Sequence, residues 1–268
     1  MLRFKAILIL AIITLPGWAA TGIPVSGGEE RAPEQWVVDP FAEWVEFQKL
    51  QSRWLEKQSR YPDHEAWLVR QIFRDSHRKL FRTYQEGASL EGLVEDGQFD
   101  CVVGSWALGS LFEAMGFKVT LRELNFHTYL RIEGQNVYVL EVTDPHQGVK
   151  EGEAVIADYE AWVHTQDLEL WSGISTSPET AFFLRVAPVN NLLTLDQLPG
   201  LYAYNQAIRA WSEERHEDAW SWISLSTRHY SSTRTQGFSK LISSSLSTQN
   251  TSGGRSEALG SPWKSPRK

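Results

Sequence analysis

The chain has 268 residues, enough for about one and a half to two domains at roughly 150 residues each, and is 42% hydrophobic, 12% aromatic and 22% charged. That balance belongs to a folded globular protein and excludes a disordered or fibrous chain. A formal net charge of −7 argues against a general nucleic-acid binder, whose footprint is basic, and a single cysteine excludes an intrachain disulfide framework and any Cys-cluster zinc or iron–sulfur site.

Arg3 and Lys5 precede the apolar run Ala6–Leu15, and Pro16-Gly17 and Ala19-Ala20 follow it. This is the basic, apolar and small-residue order of a secretory signal peptide over residues 1–20. The run has ten residues, and a membrane span needs about 20. The mature chain is therefore expected to be exported, periplasmic or secreted, with no stable membrane span after signal removal. Residues 21–38 carry Gly, Pro and charge without period and read as a flexible lead-in.

A helix is expected near 40–58, with Phe41, Trp44, Val45, Phe47, Leu50, Trp54 and Leu55 as its apolar positions. Pro62-Asp63 interrupts it, with Asp63 as the expected N-cap of a second helix over 64–86. Trp67, Leu68, Ile72, Phe73, Leu80, Phe81 and Tyr84 supply its apolar face, and Gly87 its stop. Residues 88–100 read as a loop. The next helix runs from Cys101 to Met115 and is apolar nearly all round. Its Gly104 and Gly109 cost ~1 kcal/mol each against Ala, which predicts close packing against a sheet.

The period then shifts towards two. A strand opens at Val119 and runs to about Phe126, and His127–Ile132 and Val137–Val142 form a hairpin around residues 133–136. A short helix over 153–164, with Tyr159 and Trp162, and a strand over 182–186 complete an α+β block spanning 39–192. Residues 193–242 read as a helical hairpin appendage, broken at Glu213–His216. Residues 243–268 read as a disordered, Ser-rich tail, and over 226–268 seven Lys or Arg stand against the single acid Glu257. Deleting 244–268 is expected to leave the melting temperature unchanged.

Within this order one set of residues has chemical potential. Cys101 opens a buried helix, where unsatisfied N–H groups and the macrodipole favour a thiolate. His127 follows 26 residues later, as a base for the thiol and then an acid for a leaving group. Asp100, directly before Cys101, is a neighbouring carboxylate that opposes thiolate formation. A third group must orient the imidazole, and the hairpin offers Glu141 and Asp144. If Glu133 faces Val137 across an odd loop, Glu141 shares the face of His127; if Glu133 faces Asn136, Asp144 does.

The stretch 96–145 resembles the core of the transglutaminase-like (papain-like) superfamily. Gly97-Gln98-Phe99-Asp100-Cys101 leads into a helix ending Ala114-Met115-Gly116-Phe117. Phe126-His127-Thr128-Tyr129-Leu130 is similar to the family's His-bearing strand, and Tyr138-Val139-Leu140-Glu141-Val142-Thr143 to its acid-bearing strand. The resemblance implies a helix bearing Cys101 packed on an antiparallel sheet. It also implies a Cys101–His127–Glu141 triad, with Asp144 as the alternative acid. The Cys101 N–H and the Gln98 side chain would serve the oxyanion. Action on a protein or peptide substrate would need no cofactor and no metal. The hairpin 196–225 resembles a single tetratricopeptide-like helix pair. The same fold also serves as a non-catalytic binding scaffold, the other function class this resemblance allows.

Overall fold

The computed structural model describes residues 40–173 and 189–251. The expected signal peptide, the whole of the lead-in, the strand over 182–186 and residues 252–268 of the tail lie outside the described residues. The architecture is mixed helix and antiparallel sheet, as the α+β reading requires.

Helices α1 (Val45–Arg60) and α2 (Glu65–Lys79) pack against each other. Each buries one stripe: Phe47, Leu50 and Trp54 on α1, Leu68, Val69, Ile72 and Phe73 on α2. Both stripes are narrower than expected, because Val45 and Leu55 on α1 and Trp67 on α2 stay exposed. His64, not Asp63, takes the N-cap position of α2.

The helix expected over 64–86 stops at Lys79. Beyond it Arg82 and Thr83 donate their N–H groups to the Gly97 carbonyl, and β1 (Thr83–Tyr84) pairs parallel with β2 (Gln98–Phe99). Long-range backbone pairing here overrides the helical period that Leu80, Phe81 and Tyr84 continue. The expected loop 88–100 contains a short helix, α3 (Leu90–Asp96), capped by the Ser89 side chain and closed by Gly97 at φ +70°.

Helix α4 (Cys101–Ala114) is the centre of the molecule. Ten of its fourteen residues are buried, the signature of a helix enclosed on all sides. Gly104 sits where a β-carbon would stand 3.0 Å from Val142 and 3.1 Å from Phe99, so the close approach expected at this glycine is present. Strands β3 (Lys118–Leu124), β4 (Thr128–Glu133), β5 (Val137–Leu140), β6 (Val149–Glu151) and β7 (Asn190–Leu193) make one sheet in the order β6-β5-β4-β3-β7. All neighbouring pairs are antiparallel. One face, through Leu121, Leu130, Ile132 and Leu140, packs in the main core with α4. The opposite face, through Leu124, Tyr129 and Val139, packs on α5 (Glu153–Gly173) through Ile156, Tyr159 and Val163.

A 3₁₀ turn at Leu195–Gln197 leads into α6 (Leu198–Ser212), which α7 (His216–His229) follows after a break where Glu214 takes φ 63°. This hairpin is not a detached appendage. Leu198, Leu201 and Tyr202 belong to the main core, the Tyr202 hydroxyl accepts from Leu90 N–H, and Gln206 donates to the Ala88 carbonyl. The tail expected from 243 is also corrected in its first part. A third helix, α8 (Thr233–Thr251), buries Phe238 and Ile242 against Tyr204 and Trp211, with Leu246 packed on the same cluster. The Ser-rich composition masked an apolar stripe at i, i+4, i+8. Among the described residues no helix is long and apolar enough to cross a membrane.

Candidate active site

The site forms where the ends of three elements meet. Asp100 begins it from below: its backbone is extended (φ −122°, ψ −172°), and its Oδ1 accepts from Val102 N–H at 2.9 Å and Val103 N–H at 2.7 Å. This cap fixes the first turn of α4 and so fixes the place of Cys101. Cys101 is a free thiol, half-buried at the edge of the main core.

His127 lies one residue before β4, in the tight turn that closes on β3 through Leu124 N–H to the His127 carbonyl at 2.8 Å. Glu141 lies one residue after β5. The register decides between the two acids: Glu133 pairs with Val137 across the odd loop Gly134–Asn136. Odd positions therefore share one face, and the 23%-exposed His127 side chain meets the buried Glu141 at Nε2···Oε2 2.5 Å. Asp144 does other work. Its Oδ1 accepts from His146 and Gln147 N–H at 3.1 and 2.9 Å and closes the turn after Glu141.

Parity places His127 and Glu141 towards α5, whereas α4 lies on the opposite face. The thiol and imidazole nevertheless adjoin, because neither partner sits within the sheet. His127 stands at the tip of a hairpin and Cys101 at the tip of a helix, so they meet around the strand ends.

Glu141 is saturated with donors. Oε1 accepts from Thr143 N–H at 3.0 Å and Thr143 Oγ1–H at 2.5 Å, and Oε2 accepts from Tyr159 O–H at 2.5 Å as well as from His127. Burial alone would raise this carboxyl, but the His127 charge and the hydrogen bonds from His127, Thr143 and Tyr159 overcome it and hold the pKa at about 2. Burial likewise opposes the imidazolium. The Glu141 carboxylate, with hydrogen bonds to Cys101 and Glu141, reverses that and holds His127 well above its ordinary value. An ionised carboxylate only accepts, so the ring keeps its proton on Nε2 and presents Nδ1 for exchange with the thiol.

Three contributors escape sequence reasoning. Tyr159 was legible only as an apolar position on a helix, and its hydroxyl reaches Glu141 because α5 packs across the sheet. Tyr84, read as part of a helix face, stands instead on β1 opposite Phe99, its ring perpendicular to Phe99 at 6.1 Å and 45% exposed. Its phenol faces Cys101, Asp100, Glu86 and Glu141. The capping bonds of Asp100 are the third, although an Asp before an apolar helix is a recognisable N-cap signal. Gln98, the expected oxyanion donor, has its Oε1 against Gly92 of α3, 3.0 Å from where a β-carbon would stand there. Among the described residues no group of three or more His, Cys, Asp or Glu side chains could hold a metal ion.

No family model, no curated protein and no solved structure matches this chain.

Proposed function

We propose that the chain is an exported cysteine enzyme with a transglutaminase-like core, acting on amide or peptide bonds of a protein or peptide substrate. The observation that carries this reading is the His127–Glu141 contact at 2.5 Å with the free thiol of Cys101 beside it. In this reading the Cys101 thiol passes its proton to His127 Nδ1, and the sulfur bonds to the carbonyl carbon. The resulting oxyanion is met by the Cys101 N–H, which the Asp100 carboxylate does not occupy. The carbon–nitrogen bond breaks as His127 returns the proton to the leaving amine, and a thioester remains. Water then gives hydrolysis and a second amine gives transfer, and either restores the thiol. Glu141 stays ionised throughout and stabilises the imidazolium. The basic and apolar N-terminal run supports action in the periplasm or outside the cell.

A thiol-directed probe on the purified mature protein tests this. Cys101 should label faster than a free thiol at pH 7, and His127→Ala should slow labelling by roughly a hundredfold. Cys101→Ser should abolish labelling and melt as the wild type does. Labelling no faster than a free thiol and indifferent to His127→Ala would leave the scaffold reading in its place.

A further inference from the structure

A helix N-terminus offers a limited set of unsatisfied N–H groups and the positive end of the helix dipole, and both favour an anion. At the start of α4 two anions compete for them. One is a thiolate at Cys101, and the other is the Asp100 carboxylate. The structure gives the donors to Asp100. Its Oδ1 takes both Val102 N–H and Val103 N–H, and the residue is only 4% exposed. Ala88 N–H also bonds to this carboxylate, from the loop before α3. Asp100 therefore does not swing into solvent, where water and salt would screen it. It is fixed against the helix end, one residue from the sulfur.

The other charged or titratable groups around the thiol do not offset it evenly. Tyr84 on β1 faces the thiol, and Glu86 and Glu141 face that phenol in turn; each of the three can add only negative charge. His127 is the member of this group that can be positive, and its own nearest ion is Glu141.

We infer that Asp100 is a positioning residue that restrains ionisation of Cys101: it takes the helix-end donors a thiolate would use and, when ionised, sets a negative charge beside the sulfur. The residue acts through Cys101 and touches no substrate. It makes the thiol depend on His127 for activation, because the helix end alone does not supply it. This goes beyond the proposed enzymatic activity and holds whether or not Cys101 turns over a substrate.

The test is the pH dependence of iodoacetamide labelling of the full mature chain, with no substrate present. Asp100→Asn and Asp100→Ser each keep a side-chain oxygen for the Val102 and Val103 N–H groups and remove the charge. Burial raises the Asp100 carboxyl to about 6, so its charge is present above that pH. In both variants the labelling midpoint should move to lower pH by about one unit, so that labelling at pH 7, where the wild-type carboxylate is ionised, rises roughly tenfold. A capping role alone would lower the melting temperature without moving that midpoint. An unchanged or raised midpoint in a variant that melts cooperatively overturns the inference. If only Asp100→Ser folds, its midpoint decides, and collapse of both variants assigns Asp100 to capping and overturns it as well. His127→Ala, run beside them, separates the two readings. A shift with Asp100 but no response to His127 removes the proposed enzyme and keeps the restraint. The reverse pattern removes the restraint alone.

Discussion

Glu141 accepts four hydrogen bonds from His127, Thr143 and Tyr159, and that count explains how a buried carboxylate survives. Its folded pKa lies below the unfolded value, so its contribution is present above about pH 4.3 and is lost as pH falls towards 2. His127 runs the other way. Its folded pKa lies above the unfolded one, so its contribution is complete below about pH 6.5 and fades as pH rises through the folded value. The two overlap fully between those limits. Glu141→Gln should therefore lose the most stability near pH 5–6, on the order of 2–3 kcal/mol, and less at pH 3 and pH 9. Denaturant melts across pH check this, and a gap that stays constant with pH would show that the pair is not ionised in the fold.

At the scale of elements, the turn between β5 and β6 holds the acid in place. Glu141 N–H donates to the Gly148 carbonyl at 2.7 Å, and Asp144 N–H to the Glu141 carbonyl at 3.1 Å. Gly148 is the tight point: a β-carbon there would stand 2.3 Å from the Glu141 carbonyl oxygen and 2.3 Å from the Phe73 ring. The backbone oxygen cannot yield without moving Glu141. Gly148→Ala should cost about 1–3 kcal/mol and slow thiol labelling together, whereas an alanine at solvent-facing Gly116 would strain only its own φ of +84°. A Gly148→Ala protein with wild-type stability and labelling would mean that the turn relaxes without consequence for the site.

Across the whole molecule, the helices after the sheet are part of its stability. Helix α6 joins the main core through Leu198, Leu201 and Tyr202, and α8 closes a second cluster over Tyr204 and Trp211. Phe238 is 2% exposed, so Phe238→Ala should cost about 3–5 kcal/mol. Deleting 244–268 removes Leu246 from that cluster and should lower the melting temperature, in place of the unchanged value that composition suggested. Calorimetry of the two proteins decides, and an unaltered transition in the deletion would mean that the last turns of α8 add nothing.

What the sequence determined by itself is whatever short-range physics controls. An apolar run flanked by Asp100 and Gly116 makes α4, alternation around residues 133–136 makes the β4–β5 hairpin, and Cys101, His127 and an acid follow in that order. The stripe Phe238, Ile242, Leu246 also stands at helical spacing, inside a Ser-rich stretch whose composition alone points to disorder. The tertiary structure decided the rest, because it depends on what lies across from each residue. The odd loop behind the Glu133–Val137 pairing selected Glu141 and left Asp144 to close a turn. The pairing of β1 with β2 took Tyr84 out of a helix and set it facing the thiol. Packing of α5 across the sheet brought the Tyr159 hydroxyl to Glu141. The first turns on a single residue of loop length, and the other two are contacts between residues distant in the chain; neither side-chain period nor helix propensity carries information about either.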